Sequence, residues 1–258
     1  RGTEPDATCL LLALGACARA ARWQQAAGLF ERARECGPEP DVLCYNAAMG
    51  ACSAAGAWAA ALAWLRRISE DGLEPSPVSL GTVVGACAKA AQWSWALRLL
   101  SSASSEALAG PSSLNACMSA LSLGVQWARA LELLGRTGPA SVRPSVVAVC
   151  AAMTACERSS RWQSTLRLLS GMGRWRLEPT AFACAAAVSS CHRSVQWRRA
   201  IGLLGDARSA AVELDVVCYN AAIGASDQSR RWPCALWLLA HSRACRLQPD
   251  RITYAAAM

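Results

Sequence analysis

Seven tryptophans, Trp23, Trp58, Trp93, Trp127, Trp162, Trp197 and Trp232, divide the chain at intervals of 35, 35, 34, 35, 35 and 35 residues. A fixed period of that size belongs to stacked supersecondary units, each burying its apolar face only against its neighbours. A single globular core has no reason to keep such a spacing, so the 258 residues are expected to form one elongated array. Aligned on the Trp, the units run 7–41, 42–76, 77–110, 111–145, 146–180, 181–215 and 216–250, and residues 251–258 open an eighth. Counted from the first residue of a unit, the marker Trp stands at position 17.

Both halves of a unit have helical period. In the second half, position 20 is Ala26, Ala61, Ala96, Ala130, Thr165, Ala200 and Ala235, and position 24 is Phe30, Leu65, Leu100, Leu134, Leu169, Leu204 and Leu239. Positions 17, 20, 21 and 24 fall on one helix face, so the Trp is expected to pack between helices as the spine of the array. In the first half, position 4 (Leu10, Tyr45, Leu80, Leu114, Val149, Cys184, Tyr219) and position 8 (Leu14, Met49, Val84, Met118, Met153, Val188, Ile223) make a second stripe, completed by position 11. Pro233 after Trp232 suits the first turn of a helix. Pro40, Pro75, Pro144, Pro179 and Pro249 at position 34 stop one unit before the next begins. The third unit lacks that Pro and ends in the Ser- and Ala-rich stretch Ser101–Gly110, where a frayed joint is expected.

Composition agrees with an all-α chain. Apolar residues make up 53%, yet there are only two Phe and three Tyr, and Ala dominates. Small side chains suit close helix packing, and β-branched residues are too sparse for a sheet protein. No apolar run reaches the roughly 18 residues of a membrane span. The chain opens on Arg1 and stops at Met258 partway through a unit, and reads as a fragment from which a targeting peptide would be missing rather than absent.

Of the 14 Cys, Cys17, Cys52, Cys87, Cys156 and Cys191 share position 11, which marks them as small apolar filler and as reduced thiols. With no Cys-x-x-Cys and only His192 and His241, a zinc site is not expected, and no cofactor is implied. The net charge of +8 fits a polyanionic partner without requiring one. A deaminase would need His-x-Glu with a later Cys-x-x-Cys, and no phosphate loop or nucleophile elbow is present, so no enzymatic activity is expected of these residues.

The tetratricopeptide repeat, of similar length, carries its Trp in the first helix. Here Trp opens the second, as in Trp93-Ser-Trp-Ala96-Leu97. The segments Pro40-Asp41-Val-Leu-Cys-Tyr45-Asn46-Ala-Ala-Met, Leu214-Asp215-Val-Val-Cys-Tyr219-Asn220-Ala-Ala-Ile and Ile252-Thr-Tyr254 resemble the pentatricopeptide repeat family, in its plain 35-residue P-type form. The resemblance covers nearly the whole chain. It implies a right-handed α-solenoid of helix-turn-helix repeats whose first helices face a concave groove and read single-stranded RNA, one base per repeat.

By that resemblance the readers are position 5 and the final position of each unit. Three units carry a recognisable pair: Asn46 with Ser76 and Asn115 with Ser145, similar to cytidine combinations, and Asn220 with Asp250, similar to the uridine one. Leu11/Asp41, Gly81/Gly110, Cys150/Thr180 and Ala185/Asp215 depart from the pattern, which leaves N-C-N-C-N-N-U as the expected target. Asn at the start of a helix can equally bond its own backbone. Position 2, implied to sandwich the base, holds Leu43, Val78, Val147, Phe182 and Val217 in five units. Position 13 holds Arg19, Lys89, Arg158 and Arg193, placed either for RNA phosphates or as ordinary solvated helix ends. Arg66–Arg67 and Arg198–Arg199 are expected to face solvent.

Two functions follow as expectations. One is a monomeric, non-membrane RNA-binding protein of chloroplast or mitochondrion, acting in RNA processing, stability or translation. The alternative is an α-solenoid scaffold for a peptide or protein partner.

Overall fold

The computed structural model describes residues 7–36, 41–102, 111–137, 143–210, 212, 214–245, 247 and 251–255. Among them the chain is helical throughout. The helices are α1 (Ala7–Arg19), α2 (Trp23–Cys36), α3 (Val42–Ala55), α4 (Trp58–Glu70), α5 (Pro77–Lys89), α6 (Trp93–Ser102), α7 (Pro111–Leu123) and α8 (Trp127–Thr137). They continue with α9 (Val146–Arg158), α10 (Trp162–Gly171), α11 (Ala181–Arg193), α12 (Trp197–Ser209), α13 (Val216–Gln228), α14 (Trp232–Ala244) and α15 (Arg251–Ala255). A 3-10 turn, Met172–Trp175, extends α10. Odd-numbered helices are the first, or A, helices of the units and even-numbered ones the second, or B, helices. The frayed joint expected before Gly110 falls on residues 103–110, outside those described.

The chain divides into two compact units, Arg1–Gly124 with α1–α7 and Val125–Met258 with α8–α15. In the first, the A helices α1, α3, α5 and α7 pack in a row, and α2, α4 and α6 each lie against their own A helix and the one that follows. In the second, α9, α11, α13 and α15 form the row, α10 and α12 bridge successive A helices, and α8 and α14 flank α9 and α13.

The turn between A and B helices has one geometry throughout. Position 15 lies in the left-handed region in every unit: Ala21, Gly56, Ala91, Val125, Ser160, Val195 and Arg230 have φ between 53° and 70°. The N–H of position 16 then bonds the carbonyl of position 11, as in Gln92 to Cys87 (2.8 Å), Arg161 to Cys156 (2.9 Å) and Gln196 to Cys191 (2.9 Å). This is the double closure of a Schellman motif. Only Gly56 takes the conformation without steric cost; the β-branched Val125 and Val195 adopt φ 56° at a cost, with exposed side chains.

Position 8 is fully buried in every unit, from Leu14 to Ile223, and so is position 20, from Ala26 to Ala235. The small residue at position 20 lets each B helix settle closely on its A helix, while the position-8 side chains each contribute about 1.5–3 kcal/mol of burial. Thr165, the one polar residue at position 20, donates to Ser190 Oγ at 3.2 Å and so costs no unpaired hydroxyl.

The marker tryptophans are not the buried spine that their register predicts. Each is the first residue of a B helix, six are half-buried, and Trp232 is 68% exposed. Guanidinium groups from the following unit cover their faces: Arg161 lies 4.6 Å from the centre of Trp127, Arg199 4.7 Å from Trp162, and Arg231 5.5 Å from Trp197. Such stacks are worth about 0.5–1 kcal/mol at exposed sites. Of the B-helix arginines expected to face solvent, Arg66, Arg198 and Arg199 are exposed and Arg67 is half-buried. Arg199 and Arg198 stack on Trp162 and Trp197, and Arg67 grips both carboxylate oxygens of Glu31. In the first compact unit Gly124 takes Trp93 so closely that a Cβ there would collide with the indole.

The position-11 cysteines Cys52, Cys87, Cys156 and Cys191 are buried, and burial pushes each thiol up to about 11. The described cysteines are free thiols. Among the described residues no cluster could hold a metal ion, and no helix is long and apolar enough to cross a membrane.

Candidate nucleic-acid interface

The N-terminal turns of the A helices bring the candidate residues together. In five units the final residue is the N-cap of the next A helix: Asp41, Ser76, Ser145, Thr180 and Asp215 all have extended backbone and accept the N–H of the third helical residue. That bond satisfies an orphan donor of the helix and is worth about 1 kcal/mol. At Ser76 the box is closed in both directions with Ser79. The final position is therefore pinned by the backbone whatever else it does.

Position 2, two residues after the cap, points outward. Leu43, Val78, Val147, Phe182 and Val217 are 58%, 64%, 58%, 59% and 57% exposed. A row of apolar side chains held out to solvent at the same helical register is costly unless something stacks on it.

Position 5 lies one turn further along. Asn46 is half-buried, and it does not cap its own helix. Its Oδ1 accepts from Ser79 Oγ at 2.6 Å and its Nδ2 donates to Ser76 Oγ at 3.4 Å, so the amide is tied to both ends of the next helix turn. Asn220 repeats the first of these bonds, its Oδ1 accepting from Thr253 Oγ1 at 2.6 Å. Its expected partner Asp250 lies outside the described residues. Asn115 belongs to the first compact unit and Ser145 to the second, where Ser145 Oγ accepts the N–H of Ala148 at 3.2 Å. Where the pair departs from the pattern the contact is weak or missing in kind: Cys150 Sγ stands 3.9 Å from Thr180 Oγ1, and Gly81 offers no side chain.

The position-13 cations Arg19, Lys89, Arg158 and Arg193 end their A helices and are exposed. Arg193 is partly committed, its Nε 3.7 Å from Glu157 Oε1. Burial raises the Glu157 carboxyl, with Arg193 and Arg158 pulling the other way.

The serine and threonine at position 3 of the following unit, Ser79 and Thr253, were not among the residues expected at the site. Their signal is present in the sequence as a hydroxyl, shared with Ser113, at a helical position that is Cys or Ala in the other units. It becomes legible only when units are read in overlapping pairs.

Within each compact unit a row of A helices carries an outward apolar register, and Asn46 sets an amide beside an N-cap hydroxyl. The chain has the pentatricopeptide repeat fold. The crystal structure of the pentatricopeptide repeat protein PPR10 in complex with an 18-nt psaJ RNA element superposes with a TM-score of 0.80 at 16% identity, over 99% of this chain and 38% of that one. PPR10 from maize gives 0.62 at 13% identity, over 100% of this chain and 41% of that one. Nuclear proteinaceous RNase P 2 from A. thaliana gives 0.56 at 15% identity, over 66% and 38%. The chain thus spans about two fifths of the length of these pentatricopeptide repeat structures. No protein-family model matches the sequence, and no curated protein matches it.

Proposed function

We propose that this chain is a pentatricopeptide repeat protein that binds single-stranded RNA along the N-terminal turns of its A helices, reading about one base per repeat. The observation that carries this reading is the row at position 2, five apolar side chains held 57–64% exposed beside the amide–hydroxyl pairs. A flat nucleobase is the ligand whose faces such side chains cover while its edge meets a polar group one turn away. Asn46 with Ser76, Asn115 with Ser145 and Asn220 with Asp250 are the proposed readers, and Arg19, Lys89 and Arg158, with Arg193 to the extent that Glu157 releases it, the proposed phosphate contacts. By resemblance, the setting is RNA processing, stability or translation in a chloroplast or mitochondrion.

Fluorescence polarisation with labelled N-C-N-C-N-N-U and scrambled RNAs, repeated as salt is raised, tests the proposal. Binding is expected to weaken with salt, and Asn46→Ala with Asn115→Ala should weaken the matched RNA alone by about tenfold or more. No binding to either RNA at low salt overturns the reading and turns the search to a peptide partner for the same fold.

A further inference from the structure

We infer that Cys245 is an oxidation site: hydrogen peroxide converts its thiol to a sulfinate, which takes the place that a carboxylate holds in the second repeat and clamps the seventh repeat to the sixth. The inference stands apart from the RNA reading.

The array itself defines the place. Tyrosine occurs at position 4 in the second, seventh and eighth units alone, as Tyr45, Tyr219 and Tyr254. Each is preceded by Arg at position 28 of the unit before, Arg34, Arg208 and Arg243, and no other unit has Arg there. In the second repeat the pair encloses an anion: Tyr45 donates its hydroxyl to Asp71, and Arg34 reaches the same carboxylate at 2.8 Å. Asp71 is position 30 and the C-cap of α4, with φ −80° and ψ 8°. Position 30 of the seventh repeat is Cys245, the C-cap of α14, with φ −81° and ψ 10°. The backbone is the same, and a thiol stands where the acid stood. A negative charge at a helix C-terminus opposes the dipole, so a place that holds Asp71 there is one whose side chains favour an anion.

The side chains around Cys245 already direct their protons towards it. Arg208 Nη1 lies 2.7 Å from His241 Nε2; a guanidinium only donates, so that nitrogen accepts and the ring proton sits on Nδ1. Nδ1 lies 3.1 Å from the Tyr219 hydroxyl and donates to it, which leaves the phenol proton for Cys245 Sγ at 3.4 Å. Burial, with the bond to Cys245, raises the Tyr219 phenol, so it keeps that proton. The His241 ring is stacked between Trp237 and Tyr219, with centroids 5.0 and 6.0 Å away. The donors thus run from Arg208 to His241 to Tyr219 and end on sulfur. A thiol sulfur accepts weakly, whereas sulfinate oxygens, like those of Asp71, accept as an anion does.

Cys245 is half-buried and within reach of a molecule as small as peroxide, whereas Cys52, Cys87, Cys156 and Cys191 are buried. Its sulfur attacks one peroxide oxygen. The S–O bond forms as the O–O bond breaks, and the departing hydroxide takes the thiol proton and leaves as water. The sulfenic acid repeats the step with a second peroxide, and the sulfinic acid gives its proton to solvent. Each step moves two electrons from sulfur to the peroxide oxygens. The sulfinate then carries two oxygens on the atom after Cβ, as Asp does, one for the Tyr219 hydroxyl and one for the Arg208 guanidinium.

The test treats the full chain with graded hydrogen peroxide and follows each cysteine by peptide mass mapping, with a thermal melt in parallel. Cys245 is expected to gain two oxygens about fivefold or more faster than Cys9 and Cys234, which are also open to solvent. The melting temperature should rise by about 2–4 °C relative to Cys245→Ser treated alike. Cys245→Asp should give that rise without peroxide, and Arg208→Gln should abolish it. Tyr219→Phe removes the donor to sulfur and should slow oxidation of Cys245 about fivefold or more, leaving Cys9 and Cys234 as they were. Cys245→Asp keeps Tyr219 and Arg208 in place, so it decides the clamp even where a variant at either fails to fold. Oxidation of Cys245 no faster than that of Cys9 and Cys234, or a melting temperature that does not rise in Cys245→Asp, overturns the inference.

Discussion

The same joint is built in two ways in this molecule. Between the first and second repeats it is filled with aromatic rings: Phe30 from α2, Tyr45 from α3 and Trp64 from α4, with centroids 4.6 Å apart for Phe30–Tyr45 and Phe30–Trp64 and 5.9 Å for Tyr45–Trp64. The Tyr45 hydroxyl donates to Asp71, which also receives Arg34 at 2.8 Å, and burial together with that carboxylate pushes the phenol up to about 12. Between the fifth and sixth repeats the corresponding residues are Leu169, Cys184 and Leu203, and a cavity of about 680 Å³ opens there. Its rim is the Trp162–Arg199 stack. The A helices on either side, α9 and α11, still pack on each other, though less extensively than α1 and α3. Both joints share the small buried residue at position 20 and the buried row at position 8, and the aromatic trio is an addition that only the first carries.

Three substitutions test that division. Tyr45→Ala removes a ring that is fully buried, and should cost the first unit about 3–5 kcal/mol, whereas Cys184→Ala should cost the second less than about 1 kcal/mol because the space beside it is already open. Urea unfolding followed by amide exchange on peptides from each unit would show both; equal losses would mean the two joints are equivalent after all. Cys184→Tyr moves the second joint towards the first. Filling the cavity is expected to add about 0.5–2 kcal/mol, visible as a higher melting temperature, while a lower one would show the cavity too narrow for a phenol and the joint overpacked. The smallest effect lies in the turns. Val195→Gly relieves a β-branched residue at φ 56° and should gain about 1 kcal/mol, while Gly56→Val should lose about as much. Calorimetry of the two variants settles whether position 15 tolerates side chains for free.

The register of the array is legible in the sequence because one period governs every level of it: the helix stripes at positions 4, 8, 11, 20 and 24 recur with the Trp. The role of the Trp itself was not. Its helical face predicts burial, but as the first residue of a B helix it sits at the rim, and what covers it is an arginine from the next unit, which no single-unit pattern contains. The candidate site divides the same way. Asn46, Asn220 and the exposed position-2 residues can be picked out one unit at a time. The bonds of Asn46 to Ser76 and Ser79, and of Asn220 to Thr253, join neighbouring units and become visible only in three dimensions. The cavity at Cys184 likewise arises where Leu169, Cys184 and Leu203, on three helices, stand in place of three rings.

Within the compact units, α2, α4, α6, α10 and α12 each rest on their own A helix and the next one, and on little else. The same economy bears on synthesis. Every long-range contact closes within about two repeats of chain, so the entropy of loop closure stays small and nearly constant along the array. A repeat emerging from the ribosome needs only the following A helix before its apolar faces are covered. Folding can keep pace with translation at each step, and a chain interrupted between repeats leaves one exposed edge rather than an unfinished core.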